Sequence, residues 1–131
     1  LPKNLRDLID ETADISTHYE GFQANVCLNY GGRDEIVRAA LRFAEDYKAG
    51  KAATLTEESF SNYMFSAGIP DPDLIIRPGG EMRLSNFLMW ESAYSELIFT
   101  DVLWPDFTSG DIDAAIAEYQ RRDRRFGGIK K

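Results

Sequence analysis

At 131 residues, 44% hydrophobic and 28% charged, the chain has the size and mix of one packed domain, which excludes a disordered segment and a second full domain. Fifteen Lys and Arg against 22 Asp and Glu leave a net charge of -7, which argues against a basic nucleic-acid-binding face, so no nucleic-acid partner is expected. The single cysteine, Cys27, cannot form an internal disulfide and lacks the companions of a structural zinc site, which points to a cytoplasmic protein.

Leu1, Leu5, Leu8, Ile9 and Thr12 recur at helical spacing, and Pro2 is tolerated in a first turn, so a helix is predicted from Pro2 to about Thr17. Phe22, Ala24, Val26 and Leu28 then alternate with Gln23, Asn25, Cys27 and Asn29, the period of a strand, ending at Tyr30-Gly31-Gly32. A second helix follows, with Ile36, Ala40, Phe43, Ala44 and Tyr47 on one stripe, acids Asp34 and Glu35 at its positive end, and Gly50 as its stop. Thr56 to Ser66 reads as a shorter helix capped by Thr56, with Phe60, Met64 and Tyr63 turned inward.

Leu74, Ile75 and Ile76 form a compact apolar run suited to a parallel strand covered on both faces, broken at Arg77-Pro78-Gly79-Gly80. Asn86 to about Tyr94 is predicted as a short helical turn and Glu96 to Thr100 as a third strand. Phe107, Thr108, Asp111 and Ile112 carry the signature of a helix start, after which Ile112, Ala115, Ile116 and Tyr119 face the core. Residues 121 to 131 carry six cations against Asp123, which offset a helix dipole or form a solvated end. No apolar run approaches the roughly 20 residues that span a bilayer. The start at Leu1, straight into a helical pattern, reads as a piece of a longer chain.

Strands alternating with helices predict an α/β fold, a mainly parallel sheet flanked by helices. Ligands of such sheets collect at the carboxyl ends of strands. The polar, glycine-rich segments lie there: Asn29 to Arg33, and Arg77 to Ser85.

The second segment is the densest in chemistry. Gly79 and Gly80 permit a sharp turn with exposed amides, Arg77 and Arg83 supply guanidinium forks, and Ser85-Asn86 add a hydroxyl and further amides. Together they compose a diphosphate seat. The alternative is a Gly-Gly turn with two surface arginines, one paired to Glu81. Glu96 enters an apolar strand, where a carboxylate needs either a cation such as Mg²⁺ or an arginine partner. His18 reads as a surface or capping residue, Cys27 as core, and Trp90, Trp104 and Tyr94 as core or subunit contacts.

Four segments in order, Asn29-Tyr-Gly-Gly-Arg33, Asp73 to Trp90, Ala93 to Phe107 and Arg124-Arg-Phe-Gly-Gly128, resemble the cis-prenyltransferases, and among them the undecaprenyl diphosphate synthase type. The resemblance implies an Mg²⁺-dependent enzyme condensing isopentenyl diphosphate onto an allylic diphosphate such as farnesyl diphosphate, with each new double bond cis. Carried over by motif, Arg77, Arg83, Leu84 and Ser85 would grip isopentenyl diphosphate, Glu96 would help hold Mg²⁺, and Arg125 and Gly127 would reach the diphosphate region of the neighbouring subunit of a homodimer. The usual role is a cell-wall lipid carrier, with membrane contact only through the greasy product. Pro78 departs from the family's usual Thr, and no Asp-Gly-Asn-Gly-Arg-Trp motif occurs. The chain is therefore expected to be the carboxyl-terminal half of a single cis-prenyltransferase domain, inactive alone and carrying no catalytic group of its own. A non-catalytic subunit completing a partner's active site is the other reading.

Overall fold

The computed structural model describes residues 1–122. Helix α1 spans Lys3–Ser16, α2 Gly32–Lys48, α3 Glu57–Ser61 and α4 Ser109–Arg121; strands β1, Leu74–Pro78, and β2, Glu96–Thr100, pair in parallel. Single 3₁₀ turns at Glu91–Tyr94 and Trp104–Asp106 flank β2. The α/β class and the parallel pairing agree with the periodicity of the sequence.

Helix starts follow local chemistry. Thr56 and Ser59 form a reciprocal capping box on α3, the Thr56 amide donating to Ser59 Oγ at 2.8 Å and the Ser59 amide to Thr56 Oγ1 at 3.1 Å. On α4 the Thr108 amide donates to Asp111 Oδ2 at 2.8 Å, and the bonds from Thr108 hold the Asp111 carboxyl below the usual carboxylate range. The Asp takes the role that Glu plays in the common form of this cap.

The core forms where α2, α3 and the Glu91–Tyr94 turn meet. Ala39, Phe60 and Met64 are buried there, with Ile36, Tyr63 and Trp90 packed against them. Phe60 and Trp90 meet edge to face at 4.8 Å between ring centres, and the Trp90 indole N–H donates to Ser61 Oγ at 3.0 Å. Burying Met64 alone contributes roughly 1.5–3 kcal/mol. Ile98 of β2 and Ala115 of α4 are also buried.

Several expectations are corrected. Residues 22–27 form no strand: Phe22 and Val26 are 90% and 80% exposed, and Cys27 is exposed as well. Alternation determines which side chains share a face, but a strand also needs a ladder, and no strand among the described residues lies beside this segment. Among the described residues the sheet accordingly has two strands, not three. Helix α3 ends at Ser61, and the chain continues in turns such as Ala67 N–H to Met64 carbonyl at 3.3 Å.

The predicted helical turn from Asn86 shrinks to Glu91–Tyr94, because Ser85, Asn86 and Leu88 adopt positive φ. Strand β1 is half-buried along its length rather than covered on both faces. On α2 the buried positions are Gly32, Glu35 and Ala39, while Ala40, Ala44 and Tyr47 are exposed. Of the predicted inner face of α4, Ala115 is buried but Ile112 and Ile116 are exposed, as are Trp104 and Tyr94. Helix α1 buries nothing; Leu8 and Ile9 with Tyr19, Phe22, Val26 and Leu28 line an open groove of about 880 Å³.

Candidate functional site

Parallel pairing of β1 and β2 sets Arg77 opposite Phe99 and Pro78 opposite Thr100. The chain leaving β1 must turn at the carboxyl end of the sheet, and Gly79 and Gly80 do so at φ of 97° and 75°, a region that glycine alone occupies freely. Their amides do not stay open to a ligand. Gly79 donates to the Val102 carbonyl at 2.8 Å and Gly80 to the Thr100 carbonyl at 2.9 Å, tying the bend to the exit of β2.

Arg77 folds its guanidinium back over this bend. One nitrogen, Nη1, donates to the Arg83 carbonyl and to Ser85 Oγ, the latter at 3.0 Å. Arg83 turns outward and pairs with Glu81 on an exposed surface, the ion pair of the second sequence alternative, while Arg77 and Ser85 are brought together. The Leu84 carbonyl accepts from the Phe87 amide at 3.1 Å. Arg77, Arg83, Leu84 and Ser85 thus share one loop at the end of β1. An anion entering it would meet one guanidinium already directed into the loop and a second held by a solvent-screened pair that costs little to open.

The loop is docked onto the first glycine motif. The Asn86 carbonyl accepts from the Gly32 amide, and Asn86 Oδ1 from the Arg33 amide, each at 2.8 Å. These are orphan amides at the start of α2, whose N-cap residue, Gly31, has no side chain to satisfy them. A Cβ on Gly32 would lie 2.9 Å from Met89 N, so the Gly-Gly pair is a surface of close approach.

Behind this junction sits a buried acidic pair that sequence reasoning missed. Glu35 is 1% exposed and Glu91 3%. Glu35 accepts from the Tyr30 hydroxyl and from the Phe65 amide, the latter at 2.7 Å; Glu91 Oε1 accepts from Ser66 Oγ at 2.7 Å, and its buried Oε2 has no partner among the described residues. Burial above all, then the bond to Glu35 and the charges of Glu91, Glu35 and Cys27, push the Tyr30 phenol well above its ordinary value. Acids at helix starts normally serve the dipole from solvent, so nothing in the local pattern marks Glu35 as internal.

Glu96 opens β2 level with Leu74, at the opposite end of the strand pair from Pro78 and Thr100. Its Oε2 accepts from Arg122 Nη1 at 2.9 Å, and that guanidinium also donates to the Leu97 carbonyl at 3.0 Å and to Glu118. As a half-buried oxygen donor Glu96 suits Mg²⁺, although a cation there must displace the arginine. Among the described residues no cluster of three or more His, Cys, Asp or Glu gathers to hold a metal. Arg125 and Gly127 lie outside the described residues. No helix among those residues is long and apolar enough to cross a membrane.

Residues 1–127 match the family model described as "Putative undecaprenyl diphosphate synthase". The chain is 54% identical over 112 residues to an isoprenyl transferase of Clostridium perfringens, covering 84% of this chain and 44% of that protein. It is 48% identical over 129 residues to a tritrans,polycis-undecaprenyl-diphosphate synthase (geranylgeranyl-diphosphate specific) of Thermoplasma volcanium, covering 97% and 50%. In structure it resembles a lavandulyl diphosphate synthase from Lavandula x intermedia, solved in complex with dimethylallyl diphosphate, with a TM-score of 0.91, 37% identity and coverage of 97% of this chain and 56% of that one. The chain spans about half the length of the curated relatives it matches.

Proposed function

Since the chain belongs to the undecaprenyl diphosphate synthase family, we propose that it carries the isopentenyl diphosphate-binding part of a cis-polyprenyl diphosphate synthase, which extends an allylic diphosphate such as farnesyl diphosphate. In that reaction the alkene of isopentenyl diphosphate forms a carbon–carbon bond to the allylic carbon. The allylic carbon–oxygen bond breaks with its electrons going to the departing diphosphate, and a proton leaves the new chain. No protein nucleophile takes part.

The observation that carries this reading is the Arg77 fork gathered over the Arg83 carbonyl and Ser85 Oγ at the carboxyl end of β1. In this role Arg77, Arg83, Ser85 and the Leu84 backbone hold the diphosphate head, so the alkene is presented at a fixed place and little entropy remains to be lost in the reaction. Glu81 releases Arg83 to the ligand. Mg²⁺ is a separate part of the proposal. Glu96, at the opposite end of the strand pair from this loop, would supply one carboxylate oxygen once freed from Arg122, and the ion when bound would offset negative charge on a diphosphate brought to that end. Arg125 and Gly127 contribute to the diphosphate region of a neighbouring subunit in a homodimer. The setting is cytoplasmic, with peripheral membrane contact through the product, in keeping with a cell-wall lipid carrier.

Calorimetric titration of the full-length protein with isopentenyl diphosphate, against Arg77→Ala and Arg83→Ala, tests the seat. Each loss of a charge-assisted contact should cost about 1.5–3 kcal/mol; unchanged affinity in both variants removes the seat. The 131 residues by themselves should incorporate no labelled isopentenyl diphosphate, and incorporation at the full-length rate would overturn that. Tight binding without turnover in the full-length protein would instead favour the non-catalytic subunit.

A further inference from the structure

We propose that Asn86 is a positioning residue for the diphosphate seat: by capping α2 it holds Ser85 and the Arg83 carbonyl in place, and through them the Arg77 fork. The inference rests on the seat proposed above. Three non-glycine residues within four positions, Ser85, Asn86 and Leu88, have φ of 51°, 67° and 45°. Such backbone persists only where surrounding contacts over-determine it.

Those contacts are concentrated on Asn86. Its main-chain carbonyl accepts the Gly32 amide and its side-chain Oδ1 the Arg33 amide, both at 2.8 Å, so one residue satisfies two successive orphan donors of a helix that begins 54 positions earlier. Asn tolerates the left-handed region better than most residues and carries the acceptor that a cap requires. The close approach works because Gly31 and Gly32 lack Cβ atoms, which would stand 2.9 Å from Asn86 Nδ2 and 2.9 Å from Met89 N.

Helix α2 is anchored in the core through Ala39. A rigid helix therefore holds Asn86, whose neighbour Ser85 presents the hydroxyl that receives Arg77 Nη1 at 3.0 Å, while the Arg83 carbonyl two residues further back receives the same nitrogen. Loss of the cap leaves the strained backbone free to relax, and both acceptors of the fork move with it.

The test compares Asn86→Gly, which keeps the positive φ and the main-chain acceptor but removes the side-chain acceptor of the Arg33 amide, with Asn86→Asp, which keeps both acceptors, in the full-length protein, and uses Arg77→Ala as the control. Asn86→Gly should raise KM for isopentenyl diphosphate about tenfold or more with kcat changed less than about threefold, and should speed hydrogen exchange of the Arg33 amide. Asn86→Asp should return both readouts to within about threefold of the parent. The proposal is overturned if Asn86→Gly lowers only the thermal midpoint, or if Asn86→Asp behaves like Asn86→Gly. An Arg77→Ala variant with unchanged KM would defeat the seat itself, a separate failure from that of the positioning role.

Discussion

Arg122 Nη1 donates to Glu96 Oε2 at 2.9 Å, joining the residue that follows α4 to the first residue of β2. The same guanidinium reaches the Leu97 carbonyl and Glu118, and its bonds to Glu96 and Glu118 raise its already high proton affinity, so it is a permanent cation. Glu96 and Arg122 are 27% and 32% exposed, shielded enough for the pair to persist in salt.

Arg122 and a divalent ion therefore compete for one carboxylate. Arg122→Gln should strengthen binding of Mn²⁺, measured by its electron paramagnetic resonance signal, while lowering stability by about 1–3 kcal/mol as Glu96 loses its partner. In Arg122→Gln/Glu96→Gln the gain in Mn²⁺ affinity should vanish. A single variant that binds no more Mn²⁺ than the parent would take Glu96 out of the metal proposal.

Arg77 uses a single guanidinium nitrogen for two oxygens, and in the proposed seat the rest of its planar fork would meet the ligand. Lysine keeps the charge but not the fork. Arg77→Lys should bind inorganic pyrophosphate about tenfold or more weaker than the parent in calorimetry, close to the loss in Arg77→Ala. Near-parent affinity would mean that charge alone suffices.

Gly32 faces Met89 so closely that an added Cβ would stand 2.8 Å from Met89 Cγ and 2.9 Å from Met89 N. The side chain of Met89 can swing away but its backbone cannot without moving the whole loop. Gly32→Ala should cost about 1–3 kcal/mol in denaturant unfolding and also raise KM for isopentenyl diphosphate. Gly50→Ala, with open space around it but φ of 72°, should cost stability through backbone strain alone and leave that KM unchanged.

Tyr30 loses more on ionising in the folded protein than in the unfolded chain, because burial and neighbouring Glu35 and Glu91 favour its neutral form. Its folded pKa is raised, so its contribution to stability is complete below the ordinary value of about 10 and is lost as pH climbs beyond it. Denaturant titrations at about pH 8 and about pH 11 should show a decline that is smaller in Tyr30→Phe. Equal declines in the two proteins would show that the phenol does not carry the effect.

Local pattern was enough wherever a segment's structure depends on its own backbone. The spacing in α1 and α2, the caps Thr56 and Thr108, and strand β2 from Glu96 to Thr100 were all legible, since each is specified within a few residues. The bend after β1 was legible for a related reason: adjacent glycines, here Gly79 and Gly80 at positive φ, announce a sharp turn. Alternation at residues 22–28 misled because pairing depends on a second strand that local pattern does not contain.

Sequence by itself determined α1 and α2, the starts of α3 and α4, β2, the bend after β1 and, through motif resemblance, the family. Only tertiary structure decided that Asn86 would cap a distant helix, that Glu35 would lie inside the protein against the Phe65 amide, and that Glu96 would meet Arg122. Helix and turn formation is a property of neighbours along the chain. The partner of a side chain is chosen by which surfaces the fold brings within about 3 Å of each other, at contact range where hydrogen bonds and ion pairs form, and no short window of residues contains that information.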